Sequence, residues 1–453
     1  MLYDPDFVPF DPPPRPLGLS RLPKLMHNYL ETIPQSAYEE GVTRFGRPGA
    51  EVLLVCEPDV IGEILVEKAE LFSRDPVARR SFKPMIGGNS LFLSEGAEWR
   101  WQRRAVARMF RHDTLLSFVP VFARLALHQV EQWRTAKQDG PIDVAAAMTR
   151  TTFNIIVETM FAGSTRLDAE RYSRALATSF ETLPWHLIYS VLGLPEWMPF
   201  PHRRRARRAR EFLHRDIERI VAARRQAKPA QADLLDLLLA ARDPDTGRTM
   251  NDGEVVNNLI TFITAGHETT AVALTWTLWL LAKDQIAQQR VVDEVASVAG
   301  DAPITAADVA RLTYCAQVIQ EAMRLFPPAP AISRQPKSAL TLAGMPIGPR
   351  ARVHIPIFAL HRNIRLWDNA NAFDPERFAP EEAARRPRYA YLPFGGGPRI
   401  CIGAAFATIE ATVILATLIR AFRLTALPGH RPKPVARITL RPSGGMPLLI
   451  TPR

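Results

Sequence analysis

The ten residues from Phe394 to Gly403, FGGGPRICIG, set a single thiol, Cys401, among four glycines, a proline and an arginine. Glycine permits positive φ and close backbone approach, and Pro398 stiffens the turn. Backbone N–H groups can therefore converge on one sulfur. Four chemistries could use such a loop. A phosphate cradle would need a GK[ST] ending after a strand, which is missing here. Zinc would need further ligands close by. A nucleophilic cysteine would need a histidine base, for which His267 is conceivable. A thiolate bound axially to haem iron would use the N–H donors around sulfur and a flat apolar surface beside the loop. An inert cysteine in a structural loop is the remaining reading. The next sixteen residues, AAFATIEATVILATLI, carry one charge, Glu410. They are expected to form a buried helix whose N-terminus, at Cys401, favours a thiolate.

Two further clusters stand out. Asp252 to Lys283 reads as one helix of 32 residues, about 48 Å long at 1.5 Å per residue. Its centre, AGHETT (Ala265 to Thr270), breaks apolar turns with a glycine, an acid and two hydroxyls. Gly266 weakens the helix and Glu268 is costly to bury, violations expected where function overrides stability. An acid beside a hydroxyl suits proton delivery. In YCAQVIQEAMRLFPP, a helix stopped by Pro327 and Pro328, Glu321 and Arg324 share a face. With Arg377 in FDPERF they would make a bidentate network that fixes loop geometry, a scaffold and not a catalyst.

The elements that must position these residues are mostly helical. Apolar residues recur at three- and four-residue spacing from Trp99 to about Phe326. Shorter β-branched runs cut by Gly and Pro follow. The expected fold class is mainly α with a small β region. One domain spans 1–453, with β-rich parts near 40–65, 333–360 and 435–453. AEVLLVCEPDVIGEIL reads as a strand then a helix, and RITLRPSGGMPLLITPR as a closing hairpin. The 453 residues carry a net charge of +11, are 47% hydrophobic and include three widely separated cysteines. That composition suits a soluble globular protein and rules out a disulfide framework. The start, MLYDPDFVPFDPPPRPLG, lacks a basic patch followed by an apolar run. The apolar stretch Thr269 to Ala282 is too short for a membrane span. A cytoplasmic monomer is expected.

Taken together, these segments resemble the cytochrome P450 monooxygenases over essentially the whole chain. The haem-ligand pattern Phe-x-x-Gly-x-x-x-Cys-x-Gly is matched by Phe394, Gly397, Cys401 and Gly403. The oxygen-activating pattern is matched by Ala265-Gly266-His267-Glu268-Thr269-Thr270. Glu321, Arg324 and Arg377 match the scaffold, in the same order and at similar wide spacings. The resemblance implies haem b with Cys401 as axial thiolate and Phe394, Gly403 and Ala265 against the macrocycle. It implies propionate contacts from Trp99 and Arg103 in EWRWQRR, and from Arg334 and Arg399. Glu268 and Thr269 would deliver protons while O2 is cleaved, and one oxygen atom would enter a C–H bond.

The resemblance also implies a pocket lined by Phe82, Met85, Ile86, Phe180, Leu183, Ile263, Ala331, Ile332 and Ile438. This mainly apolar set suits a fatty acid, terpenoid or aromatic. Arg79 and Arg80 could anchor a carboxylate, although a solvent-facing role fits them better. The chain has no flavin-type glycine fingerprint and no iron–sulfur cysteine cluster. Electrons are therefore expected from a separate ferredoxin or flavodoxin, whose acidic surface the basic balance would suit. The competing readings are a peroxygenase or isomerase, or a haem carrier or sensor without turnover. The intact Glu268–Thr269 pair argues against each. The run HRRRARRAR, His202 to Arg210, reads first as a solvated helix face. After the apolar PEWMPFP it also allows shallow membrane contact. Nucleic-acid binding is not expected.

Overall fold

Asn251 begins the element that organises the molecule. Its side chain accepts from the Glu254 N–H at 2.9 Å, while Glu254 accepts from the Asn251 N–H at 3.0 Å. This reciprocal cap satisfies two free donors and starts the helix Asp252–Lys283. The computed structural model describes residues 27–47, 50–135, 140–161, 167–195, 197–226 and 233–453; the N-terminal proline-rich segment lies outside them.

The central helix packs on Val144–Phe161, Arg203–Gln226, Thr313–Leu325 and Ala404–Ala421. Large aromatics close its C-terminal half. Trp276 stacks on Phe326 with ring centroids 3.8 Å apart, and its Nε1–H donates to the Leu440 carbonyl at 2.7 Å. Burying the ring while satisfying its one polar group makes this a firm anchor. Thr313–Leu325 ends at Phe326, whose backbone leaves the helical region ahead of Pro327 and Pro328, as the proline rule requires. Ala404–Ala421 is long and apolar enough to cross a membrane by length and composition, but 67% of it is buried in the fold.

The β region is subordinate. A five-stranded sheet runs in the order Val42–Arg47, Ala50–Val55, Arg352–Ile355, Ile332–Pro336, Phe72–Arg74. Only the Ala50–Val55 and Arg352–Ile355 pair is parallel. The expected strand then helix after Glu51 is present, so the β part there ends at Val55 and residues 58–67 are helical. Leu340–Leu342 and Met345–Ile347 make a tight hairpin across Ala343 and Gly344, at φ of +49° and +77°.

The closing hairpin differs from expectation. Leu440–Pro442 pairs backwards with Pro434–Ala436, whereas Pro447–Pro452 joins Phe422–Ala426 and Ile142–Asp143. Gly444 and Gly445, at φ of +80° and +87°, turn the chain away. Asp143 then takes the Met446 N–H at 2.9 Å. A contact three hundred residues upstream thus outweighs the local turn.

Candidate functional site

Cys401 lies where the glycine loop meets the last long helix. Gly395 and Gly397 take φ of +73° and +67°. A Cβ on Gly397 would sit 1.8 Å from the Leu65 carbonyl oxygen, so only glycine lets the loop press on that segment. Pro398 is in a single turn of 3-10 helix, Gly397–Arg399, and the Cys401 N–H donates to the Phe394 carbonyl at 2.9 Å. The helix begins at Ala404 with Gly403 as its N-cap, not at Cys401 as expected. The thiol therefore stands three residues ahead of the first turn.

Cys401 is an exposed residue, and the protein around its thiol pushes the pKa up. The Gly403 N–H and the Arg103 guanidinium act the other way and favour thiolate. Across the fold, Ala265 is exposed halfway along a helix that is otherwise almost wholly buried. Among the described residues no three His, Cys, Asp or Glu side chains converge as metal ligands. A lone thiol suits an iron that arrives with its other ligands already in place.

One wall is strongly cationic. Arg399 donates to the Ser94 carbonyl at 3.0 Å, lies 4.4 Å over the Trp99 ring and stands 3.8 Å from Glu95. Arg334 is the cross-strand partner of Arg74, which sequence reading missed. Burial first, then the neighbouring guanidinium groups, weaken the hold of Arg74 and Arg334 on their protons. Burial likewise depresses Arg103 and Arg399. Arg74 Nε is buried without a hydrogen-bond partner. Glu95 is the carboxylate felt in common by Arg74, Arg334 and Arg399. Such an excess of buried positive charge calls for an anionic partner. Two carboxylates on a flat apolar ring would fit it, as haem propionates provide.

The polar centre of the long helix is tied down residue by residue. Thr269 donates to the Ala265 carbonyl at 2.8 Å and Thr270 to Gly266 at 3.1 Å, while Thr152 of the neighbouring helix donates to the His267 carbonyl at 2.8 Å. His267 Nδ1 bonds to Ile263 at 2.7 Å and its ring meets Phe153 edge-on. Burial lowers its pKa, so it stays neutral within the helix pair. Glu268 is 6% exposed and lies against the Arg441 guanidinium at 2.5 Å, with the Thr439 hydroxyl donating to the same oxygen. These two partners were also missed. They lie some 170 residues away, beside the nominated Ile438.

The scaffold is complete. Glu321 and Arg324 are both fully buried and joined by two bonds of 2.6 and 2.8 Å. Arg324 also donates to the carbonyls of His361, Ala370 and Ala372 at 2.8, 2.6 and 2.9 Å. Arg377 contributes a single ion pair of 3.5 Å to Glu321, looser than the bidentate contact expected. Its Nη2 instead donates to the Asn369 carbonyl at 3.2 Å.

The nominated pocket residues are spread over these walls. Met85, Ile86, Leu183 and Ile263 are buried. Phe82, Phe180, Ala331, Ile332 and Ile438 are half-buried. Ile332 borders the cysteine loop, its Cδ1 at 3.3 Å from where a Gly395 Cβ would stand. Ile263 instead faces Leu213 and Ile217 of the arginine-rich helix across a very small void. Arg79 is exposed, and Arg80 donates to the Leu194 carbonyl.

Residues 19–448 match the family profile of cytochrome P450. The chain is 34% identical over 400 residues to cyclooctatin synthase of Streptomyces melanosporofaciens, covering 86% of this chain and 85% of that protein. It is 28% identical over 442 residues to cytochrome P450 4F8 of Homo sapiens, covering 92% and 84%. The crystal structure of the cytochrome P450DA heme domain superimposes with a TM-score of 0.79 at 25% identity, covering 91% of this chain and 90% of that one. The chain belongs to the cytochrome P450 family, and is a monooxygenase whose cofactor is haem b held through a cysteine thiolate.

Proposed function

We propose that Cys401 is the axial thiolate and that the protein hydroxylates a hydrophobic small molecule of the fatty-acid, terpenoid or aromatic type. The observation that carries this reading is Cys401, an exposed residue at the end of the glycine loop, with the Gly403 N–H and Arg103 both favouring its anion. Haem b bound there supplies the iron at which O2 is activated. Arg74, Arg103, Arg334 and Arg399, with Trp99, would hold its propionates, and Phe394, Gly403 and Ala265 would lie against its ring. Glu268 is the acid nearest the Ala265–Thr269 turn. Thr269 presents a hydroxyl that can exchange its bond to the Ala265 carbonyl for one to a reacting oxygen. The apolar side chains around Met85, Ile86 and Ile332 exclude water and orient the substrate. Electrons come from a separate ferredoxin or flavodoxin.

The test is the spectrum of the reduced carbon monoxide complex. The parent should show the red-shifted Soret band of a thiolate ligand, and Cys401→Ala should lose both band and turnover. A parent band without that shift overturns the reading. Thr269→Ala should keep the band yet lower product formed per electron pair about tenfold or more. Unchanged coupling would remove Thr269 from proton delivery.

A further inference from the structure

The arginines that open the helix Arg203–Gln226 differ in where they point. Arg204, Arg205, Arg207 and Arg208 are exposed, and Arg207 stands 3.5 Å from Glu211. Solvated arginines of this kind are ordinary. Arg210 is placed otherwise. Ala206, Arg210, Leu213 and Ile217 follow at spacings of four, three and four residues, which puts them on one face of the helix. Ala206, Leu213 and Ile217 are buried, on a helix packed against Ala169–Phe180 and the central helix. Arg210 is the one charged member of that apolar stripe, and it is half-buried. Its Nη1 is buried without a hydrogen-bond partner.

Among the described residues no carboxylate stands within ion-pair distance of Arg210. The acid whose charge it feels, Glu211, is exposed and lies on Arg207. Burial first, then the charge of Arg203, weakens the hold of Arg210 on its proton. A long basic side chain on such a face ordinarily carries its head out to water. Here one nitrogen is kept from water with nothing to bind, a condition shared with Arg74. An anion would satisfy it. The next turn shows what this face meets. The His214 ring reaches the backbone of Met85, in the helix Pro76–Ile86 that carries Phe82, Met85 and Ile86. Arg80 of that helix donates to the Leu194 carbonyl, ahead of the arginine-rich helix. Further along, Leu213 and Ile217 face Ile263 across a void of about 10 Å³, room for no more than a water. Arg210 therefore stands at the outer end of a tight, mainly apolar seam that follows the central helix toward Ala265.

We propose that Arg210 anchors the carboxylate of a long-chain acid substrate, whose apolar body extends along this seam toward Ala265. The proposal rests on the hydroxylase reading above and narrows its substrate class. The planar guanidinium presents paired N–H donors that match a carboxylate in two parallel bonds. One unpaired cation on an apolar stripe suits a single negative charge on a hydrocarbon body. The tightness between Leu213, Ile217 and Ile263 favours a slender, flexible chain over a fused ring.

The test follows the spin-state change of the full-length haem-loaded protein on titration with dodecanoic and hexadecanoic acids. Dodecanol and hexadecanol serve as uncharged counterparts, at about pH 8, where the acids are ionised. The parent should bind an acid about tenfold more tightly than the alcohol of equal length. Arg210→Met keeps an unbranched apolar stem, and should weaken the acid about tenfold or more while leaving the alcohol unchanged. Arg79→Gln, which removes an exposed arginine from the facing helix, should alter neither. The reduced carbon monoxide band should be the same in all three proteins. The hydroxylase reading fails at that band, whereas the anchor fails at the titration. Three results overturn the proposal: no acid bound more tightly than its alcohol, an acid preference that survives in Arg210→Met, or equal losses of acid and alcohol in that variant. The last would make Arg210 a packing residue.

Discussion

Two buried arginine clusters in this molecule have opposite accounts of their charge. Around Glu321, Arg324 uses its donors on one carboxylate and three carbonyls, and both partners are shielded from water. Near the cysteine loop, Arg74, Arg334 and Arg399 crowd one another beside Glu95, with Arg74 Nε left unbonded. The first cluster closes on itself and can only hold a shape. The second is open and strained by its own charge, which is how a protein prepares a place for an anion. Residue type is alike in the two, although Arg324 is fully buried and Arg74, Arg334 and Arg399 are half-buried. What separates structure from binding is whether the donors are already used.

The contrast can be broken most forcefully at Glu321. Glu321→Gln leaves Arg324 buried and uncompensated, and should cost about 3–5 kcal/mol in chemical denaturation. Recovering a normally stable protein from that variant would show that the cluster is not the scaffold. At the open cluster the sign should reverse. Arg74→Ala combined with Arg334→Ala should leave the stability of the haem-free protein unchanged or raised, while haem dissociates about ten- to a hundredfold faster. Equal losses in both forms would make this cluster structural as well.

A third buried acid sharpens the comparison. Glu410 is 1% exposed, has no cationic partner among the described residues, and burial raises its pKa well above the ordinary 4.5. The folded state therefore keeps a proton that the unfolded chain releases above that pH, so stability should fall as pH rises from there. Glu410→Gln is neutral throughout. Its advantage over the parent should widen between about pH 5 and 8, by up to a few kcal/mol. A constant difference would mean that Glu410 is ionised in the fold. The smallest effect belongs to Arg377. With a 3.5 Å ion pair to Glu321, one hydrogen bond to the Asn369 carbonyl and 13% side-chain exposure, Arg377→Ala should cost only about 1 kcal/mol.

These clusters also show what a sequence can disclose. The central helix was legible from end to end because its determinants are local: apolar turns run on both sides of the polar Ala265–Thr270 centre and carry the helix through it. Glu321 and Arg324 were legible because three residues on a helix define a shared face. The cysteine loop was legible because few backbones need so many glycines around one thiol. Arg74 was not, since its meaning comes from standing opposite Arg334 across a strand pair that spans some 260 residues. Thr439 and Arg441 were hidden in the same way, inside a tail that reads as a hairpin until Asp143 captures Met446. Local rules give the elements and their chemistry; cross-strand register decides which charges meet.

The short strand Leu440–Pro442 has a practical consequence for anyone redesigning this enzyme. Ile438 is immediately followed by Thr439, and both Thr439 and Arg441 grip Glu268. A substitution at Ile438, proposed as a pocket residue, therefore also tugs on the acid's tether. Selectivity and electron economy would then be inherited together from that one loop. Libraries built at Ile438 should yield variants in which new substrate preference travels with wasted reducing equivalents. Varying Met85 or Ile86, on a different segment with no such leash, offers the cleaner route.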